Sequence, residues 1–222
     1  MQKFDTPAPV SVIVDVPAGH IRFIAADRAD TTVEVLPADT SESRDVRAAK
    51  ETEVARGDGV LRIEGPAAKN RILGHSGAIE VVVQLPAGSR VEAKTAAGEL
   101  SGVGRLGDVT FEAAQGTVTL DETASARLTL QAGDITVGRL GGSADISTQE
   151  GDLHITEAVH GTVTLRTGSG DITVGAARGV SATLDAGTAH GRIHNTLKNT
   201  DGAAGLAVHA TTSHGDITAR SA

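Results

Sequence analysis

The sequence predicts an all-β protein: a short β-solenoid of about two strands per coil, with an antiparallel β region capping its N-terminal side. Three observations carry this. A five-residue phrase returns through the second half of the chain: glycine, usually an acid, an aliphatic, a small polar residue, another aliphatic. The phrase glycines fall at 98, 107, 116, 133, 142, 151, 161, 170, 179, 191 and 215, most often nine or ten apart, and fixed-period self-similarity marks a solenoid. The 222 residues include only three aromatics, Phe4, Phe23 and Phe111, against 27 glycines. A stack of thin strands fills its interior with Val, Ile and Leu, whereas an irregular globular core of this size draws on larger rings.

Residues 1–97 read as the antiparallel cap. Val10 to Val16, His20 to Ala25, Thr32 to Leu36, Val60 to Ile63 and Ile79 to Leu85 are strand-like runs. Pro-Ala-Gly punctuates the chain at Pro17 to Gly19 and again at Pro86 to Gly88. Arg56-Gly57-Asp58-Gly59 is hairpin-turn chemistry, which also accounts for the Arg-Gly-Asp tripeptide inside it. Asp45 to Val54 is the one segment rich in helix formers, without a clean apolar stripe. A cap is needed because a solenoid's first strand edge is otherwise open to pairing.

Residues 98–222 read as the solenoid. The phrase stands as Gly107-Asp-Val-Thr-Phe111, Gly133-Asp-Ile-Thr-Val137, Gly151-Asp-Leu-His-Ile155, Gly170-Asp-Ile-Thr-Val174 and Gly215-Asp-Ile-Thr-Ala219, with Gly-Thr-Val-Thr-Leu at 116 and 161. Period-two alternation turns Ile135 and Val137 inward and Asp134 and Thr136 outward. Glycines at 98, 116, 133, 151 and 170 recur every 17 to 19 residues, giving a coil of about 18. Thr95, Thr148, Thr167, Thr188 and Thr212 stand three residues before a phrase glycine, where a hydroxyl can satisfy turn backbone groups. Asn195 to Leu206 is polar and Gly-rich, a loop leaving the stack. The last strand, Gly215 to Ala219, is nearly C-terminal, so it is expected to leave an edge open to strand addition or end-to-end self-association.

An N-terminal strand region, then Leu85-Pro-Ala-Gly-Ser89, then repeated Thr-x-x-Gly-Asp-Ile resembles the bacterial "putative adhesin" family of unknown function with β-strand repeats. The resemblance covers nearly the whole chain. It implies a β-helix-like fold; the adhesin label of that family is attached to its shape.

The candidate chemistry is sparse. Asp134, Asp152 and Asp171 hold one repeat position on consecutive coils, with Glu99 and Asp216 equivalent further out. Stacked like charges invite an offset, and Ca²⁺ is the candidate cofactor. His190 and His214 both precede a phrase glycine and are expected to be neighbours, the start of a metal site that lacks a fixed third ligand. His154 and His194 share the outward fourth position, two coils apart, and His209 lies near the same end. Gly102-Val-Gly-Arg-Leu-Gly107 matches the dinucleotide fingerprint, but a strand follows it where the fingerprint needs a helix. Gly74-His75-Ser76-Gly77 does not match the Gly-x-Ser-x-Gly nucleophile elbow.

Charge narrows the classes further. The net charge is −8, and residues 98–222 hold 14 acids against 8 Lys or Arg. An acidic surface without stacking platforms argues against nucleic-acid binding. The absence of cysteine excludes disulfides and thiolate metal sites. Met-Gln-Lys-Phe-Asp-Thr-Pro is polar, which predicts a cytoplasmic protein, or a surface one if exported by an unrecognised route. With no catalytic constellation, the expected function is a non-enzymatic scaffold or protein-interaction module. The alternatives are a cell-surface adhesin-like protein and a glycan-active β-helix enzyme with paired carboxylates.

Overall fold

The computed structural model describes residues 1–66, 77–199 and 204–222. They form one sheet of 18 strands and one helix. The N-terminal part comprises β1 (Gln2–Asp5), β2 (Ser11–Asp15), β3 (Ala18–Ala26), β4 (Asp30–Pro37), α1 (Ser43–Glu51), β5 (Glu53–Gly57), β6 (Val60–Glu64) and β7 (Ile79–Pro86). Two long strands follow, β8 (Arg90–Gln115) and β9 (Val118–Ala132). Then come β10 (Ile135–Leu140), β11 (Ala144–Glu150), β12 (Leu153–Ala158), β13 (Gly161–Ser169), β14 (Ile172–Ala176), β15 (Ala182–His190), β16 (Ile193–Thr196), β17 (Leu206–His214) and β18 (Ile217–Ser221).

The coils stack as the repeat requires. One wall runs β3, β8, the first half of β9, β10, β12, β14, β18 and β16, all parallel. The other wall continues from the second half of β9 through β11, β13, β17 and β15, again parallel. Alternation along each strand sends the aliphatics between the walls. Val118, Ile135, Leu153, Ile172 and Ile217 form one such column, each at most 1 % exposed. Phe23 and Phe111 are fully buried in the same core. Burying each of these side chains contributes roughly 1.5–3 kcal/mol, so the repeated column rather than any single contact holds the coils together.

The N-terminal region mixes two pairing senses. The expected antiparallel pairs are present: β1 on β4, β4 on β7, β5 on β6. Yet β2 lies parallel between β6 and β8, and β3 parallel between β7 and β8. Coil geometry therefore begins within the first strands, and β8 runs unbroken through residues 97 and 98. The hairpin turn forms as read, with Asp58 at φ 52° and Gly59 at φ 77° between β5 and β6. Two consecutive positive φ values match the right-handed twist of the flanking strands. The helix occupies Ser43–Glu51, and Val54 belongs instead to β5. Thr52 ends it, turning its N–H and hydroxyl back to the Ala48 carbonyl.

The expected open C-terminal strand is not found. β18 is enclosed between β14 and β16, and β17 between β13 and β15. The last coil of the sequence is thus inserted beneath the one before it, and β15–β16 forms the end of the stack. The reason is the long connection after Thr196, which lets the chain double back; residues 200–203 of it, like Gly74 to Ser76 of the nucleophile reading, lie outside the described residues. The Gly102–Gly107 segment lies inside β8, where the register against β9 shifts between Gly102 and Arg105 and strand continues on both sides.

Candidate interaction surface

One corner of the solenoid collects the stacked aspartates, the His190 and His214 pair and the threonines three residues before the phrase glycines. It is built on glycine. A Cβ on Gly133 would sit 1.6 Å from the Gly116 carbonyl oxygen, and one on Gly170 would sit 2.0 Å from that of Gly151. Both glycines also hold positive φ, +134° and +148°. Backbone meets backbone so closely here that no side chain fits. The same contact repeats along Gly19, Gly98, Gly116, Gly133, Gly151, Gly170, Gly215 and Gly191, with Ile79 below Gly19. This column gives the true order of the coils.

Threonine locks the corner. The Thr167 hydroxyl donates to the Gly151 carbonyl at 3.0 Å, Thr212 to Gly170 at 3.1 Å and Thr188 to Gly215 at 3.0 Å. Each hydroxyl therefore bonds the neighbouring coil, not only its own turn.

The aspartates stand just outside the glycines and do the same on the exposed side. Asp134 Oδ1 accepts the Asp152 N–H at 2.8 Å, Asp152 accepts that of Asp171 at 2.7 Å, and Asp171 accepts that of Asp216 at 2.7 Å. These backbone donors offset the stacking of like charges for which a cation was the candidate. Glu99 is tied elsewhere, to His20 at 3.1 Å. Among the described residues no three His, Asp or Glu side chains converge as a metal ion requires.

The ladder stops at Arg192. Asp216 Oδ1 accepts the Arg192 N–H at 2.8 Å, and its Oδ2 lies 3.4 Å from the guanidinium. Arg192 occupies the position of a further aspartate but offers no carboxylate to a coil beyond. Beside it the His190 and His214 rings stack, centroids 4.9 Å apart and 18° from parallel. His209 meets Asp185 at 3.3 Å. His154 and His194 are separated by one coil more than expected, since both Thr173 and Thr218 intervene.

Beyond Arg192 the inward columns lose their cover. Ile193 is 46 % exposed although Ile217 beneath it is wholly buried. Asn195 stands over Ala219, in a column otherwise filled by Val137, Ile155 and Val174. Its own Oδ1 turns to accept the Leu197 N–H. Leu184 and Ala186 are only half-buried. Arg192, Ile193, His194, Asp216 and Thr218 line an open depression of about 470 Å³. Sequence reasoning missed Arg192, Ile193 and Asn195 as a group. The signal was available: a cation replaces the phrase acid, and an amide replaces an inward aliphatic, in the same coil.

Residues 10–220 match the Toastrack DUF4097 family. The chain belongs to that family. The family resemblance read from the repeats and the β-solenoid fold are both upheld by this match. Among solved structures, the Toastrack chain is similar to a putative lipid binding protein from Parabacteroides distasonis, at 12 % identity and TM-score 0.50, over 98 % of this chain and 95 % of that one. It is also similar to a putative adhesin from the same species, at 15 % identity and TM-score 0.49 with the same coverage. A putative cell adhesion protein from Clostridium sporogenes matches at 13 % identity and TM-score 0.43, over 100 % and 98 % of the two chains. Likeness at these identities concerns the fold alone. No curated protein matches the chain. No helix among the described residues is long and apolar enough to cross a membrane.

Proposed function

We propose that this Toastrack protein is a non-enzymatic scaffold: a stiff solenoid whose flat walls present polar columns to a protein partner. The observation that supports it most is the pairing of a parallel stack of strands on each wall with outward columns of polar side chains, mostly threonine on the first wall. Thr119, Thr136, His154, Thr173 and Thr218 follow one another on one wall. Arg127, Asp145, Thr164 and His209 do so on the other. Short side chains on a fixed backbone lose little freedom on binding, which lowers the cost of association. The walls carry charge in compensated pairs, Arg139 with Glu157 at 2.6 Å and Arg166 with Asp145 at 2.9 Å, so recognition would rest on shape and hydrogen bonding more than on net field.

The test is photo-crosslinking in the native host from Thr136 and from Thr164, with fractionation of the cells beforehand. One abundant protein adduct from either wall is expected. Recovery with the cell surface would make that partner a surface one and favour the adhesin-like role. Absence of any adduct from both walls, together with turnover of a glycan by the purified protein, would overturn the scaffold reading.

A further inference from the structure

We infer that the β15–β16 coil is where a second copy of this chain pairs, tail to tail, across a two-fold axis perpendicular to the stack. The inference rests on the scaffold reading and names a partner for its bare end. The sheet stops there without being closed. Among the described residues β15 pairs only with β17, and β16 only with β18. In a parallel strand, one residue's N–H and C=O serve the same neighbour. Leu206 donates to the Ser181 carbonyl on the inner side, while the Ala182 N–H turns outward to the Lys198 carbonyl. By alternation, Leu184, Ala186 and Thr188 also direct their backbone groups outward, and among the described residues no strand lies beside them. Ile193, Leu184 and Ala186 add apolar surface to the same edge.

The strongest devices that blunt an edge, proline, lysine and bulges, are missing from it, and its charges are Asp185 and Arg192. Ala182 to Thr196 holds no proline and no lysine, and its register against β17 and β18 carries no bulge. The edges at the opposite end differ: β1 carries Lys3, and β5 carries Glu53 and Arg56.

A second copy suits this edge in a way a head-to-tail neighbour does not. At the far end β4 and β5 run antiparallel over the outermost coil and the edge strands β1 and β5 carry Lys3, Glu53 and Arg56, so that end is a poorer match for β15–β16. A two-fold axis instead sets β15 antiparallel to β15 over Leu184 to Thr188, clear of the Lys198 carbonyl that already takes the Ala182 N–H. About the midpoint of β15, Ala186, the single charge Asp185 then faces Gly187 of the other copy rather than its own equivalent. Arg192 immediately precedes β16, beyond the end of β15, so a two-fold through Ala186 carries the two guanidiniums apart. Such an interface is closed, giving a dimer and not a fibre.

Light scattering over a dilution series tests this. The expected result is a species of twice 22.5 kDa that dissociates on dilution. Ala186→Pro removes an outward N–H that the monomer does not use, as edge strands tolerate. Ile193→Lys charges the exposed apolar column and carries the test if the proline disturbs the coil. Each variant should run at 22.5 kDa with its β circular-dichroism signal intact. A wild-type monomer at every concentration, or a dimer that survives Ile193→Lys, overturns the inference. A monomer that still yields the wall adducts refutes pairing alone; a dimer without wall adducts refutes the scaffold reading alone.

Discussion

The two ends of the stack face one problem, an open parallel edge, and answer it differently. At the N-terminal end the outermost coil, β6–β7, is covered by reversal: β5 turns back on β6 and β4 lies antiparallel on β7. Helix α1 closes the gap between the walls, with Ala48 buried in the core. At the C-terminal end, termination is by substitution. Arg192 breaks the aspartate ladder and Asn195 breaks an inward column, while, among the described residues, residues 197–199 reach over the start of β15. Both ends nevertheless share a topological device. The first coil of the chain, β2–β3, and the last, β17–β18, each lie inside the stack, clamped on both sides. Neither coil can leave the stack without opening two ladders.

The sharpest test of this asymmetry uses one column. Ile217 and Ile193 are stacked neighbours, one wholly buried and the other nearly half exposed. Ile217→Lys forces an unpaired ammonium between two coils and should destabilise the fold by about 5 kcal/mol or more. At concentrations where the chain is monomeric, Ile193→Lys should change unfolding free energy by less than about 1 kcal/mol. Urea titrations of the two variants decide it. Equal losses would mean that β15–β16 is as enclosed as β17–β18.

The glycine column offers the next comparison. Gly170→Ala places a methyl against the Gly151 carbonyl at a positive φ, with a coil above preventing relief. Its cost should be about 2–5 kcal/mol. A Cβ on Gly191 would lie as close, 1.9 Å from the Gly215 carbonyl, but among the described residues no strand is stacked beyond its coil. The coil can shift outward, so Gly191→Ala should cost about 1–2 kcal/mol less. Hydrogen exchange of β15 amides would show the loosening directly.

These contrasts also mark what the sequence could tell. Coil length, the inward aliphatics and the glycine corner were legible because period and burial are local: Ile135 and Val137 declare their face without reference to any other coil. The turn at Asp58-Gly59 was legible for the same reason. Coil order was not. A repeat says that each unit can stack on a similar one, and any unit with Gly, Thr and Asp in place fits any other. Only the departures fix the order, and Arg192 is informative only once its carboxylate-bearing neighbours are known to donate and accept along the ladder. The parallel role of β2 and β3 was hidden too, because their partners β6 and β7 follow after an excursion through β4, α1 and β5. The aspartates were read as a charge problem because backbone N–H donors leave no trace in a sequence.

At the covered end, a smaller effect is expected from the plug. Asp45 Oδ1 accepts the Ala78 N–H at 2.9 Å and its Oδ2 accepts that of Asp39 at 3.1 Å, so one carboxylate ties the helix to the entry of β7 and the exit of β4. Asp45→Ala should lower stability by about 1–2 kcal/mol. It should also raise exchange in α1 and β4 while β15–β18 stay unchanged. Matching changes at both ends would contradict the view that they are independent closures.

The smallest effect concerns acid. Asp30 opens β4 and receives the Arg28 Nε–H at 2.9 Å and the Lys3 ammonium at 3.1 Å. The hydrogen bond from Arg28 foremost, then that from Lys3, holds its carboxyl down from 3.8 to about 2. Because the folded chain favours the ionised form, this contribution is complete above the ordinary carboxylate value and is lost as pH falls through about 2. Lys3 belongs to β1, so the loss should appear first as fraying of β1 from β4, where Thr6 and Thr31 share a buried hydroxyl contact of 2.8 Å. In Asp30→Asn the neutral amide carries no such pH dependence. The difference in melting temperature between wild type and Asp30→Asn should therefore shrink between pH 4 and pH 2, with β1 amides exchanging early. A difference that stayed constant across that range would place the acid sensitivity of the covered end elsewhere than at this carboxylate.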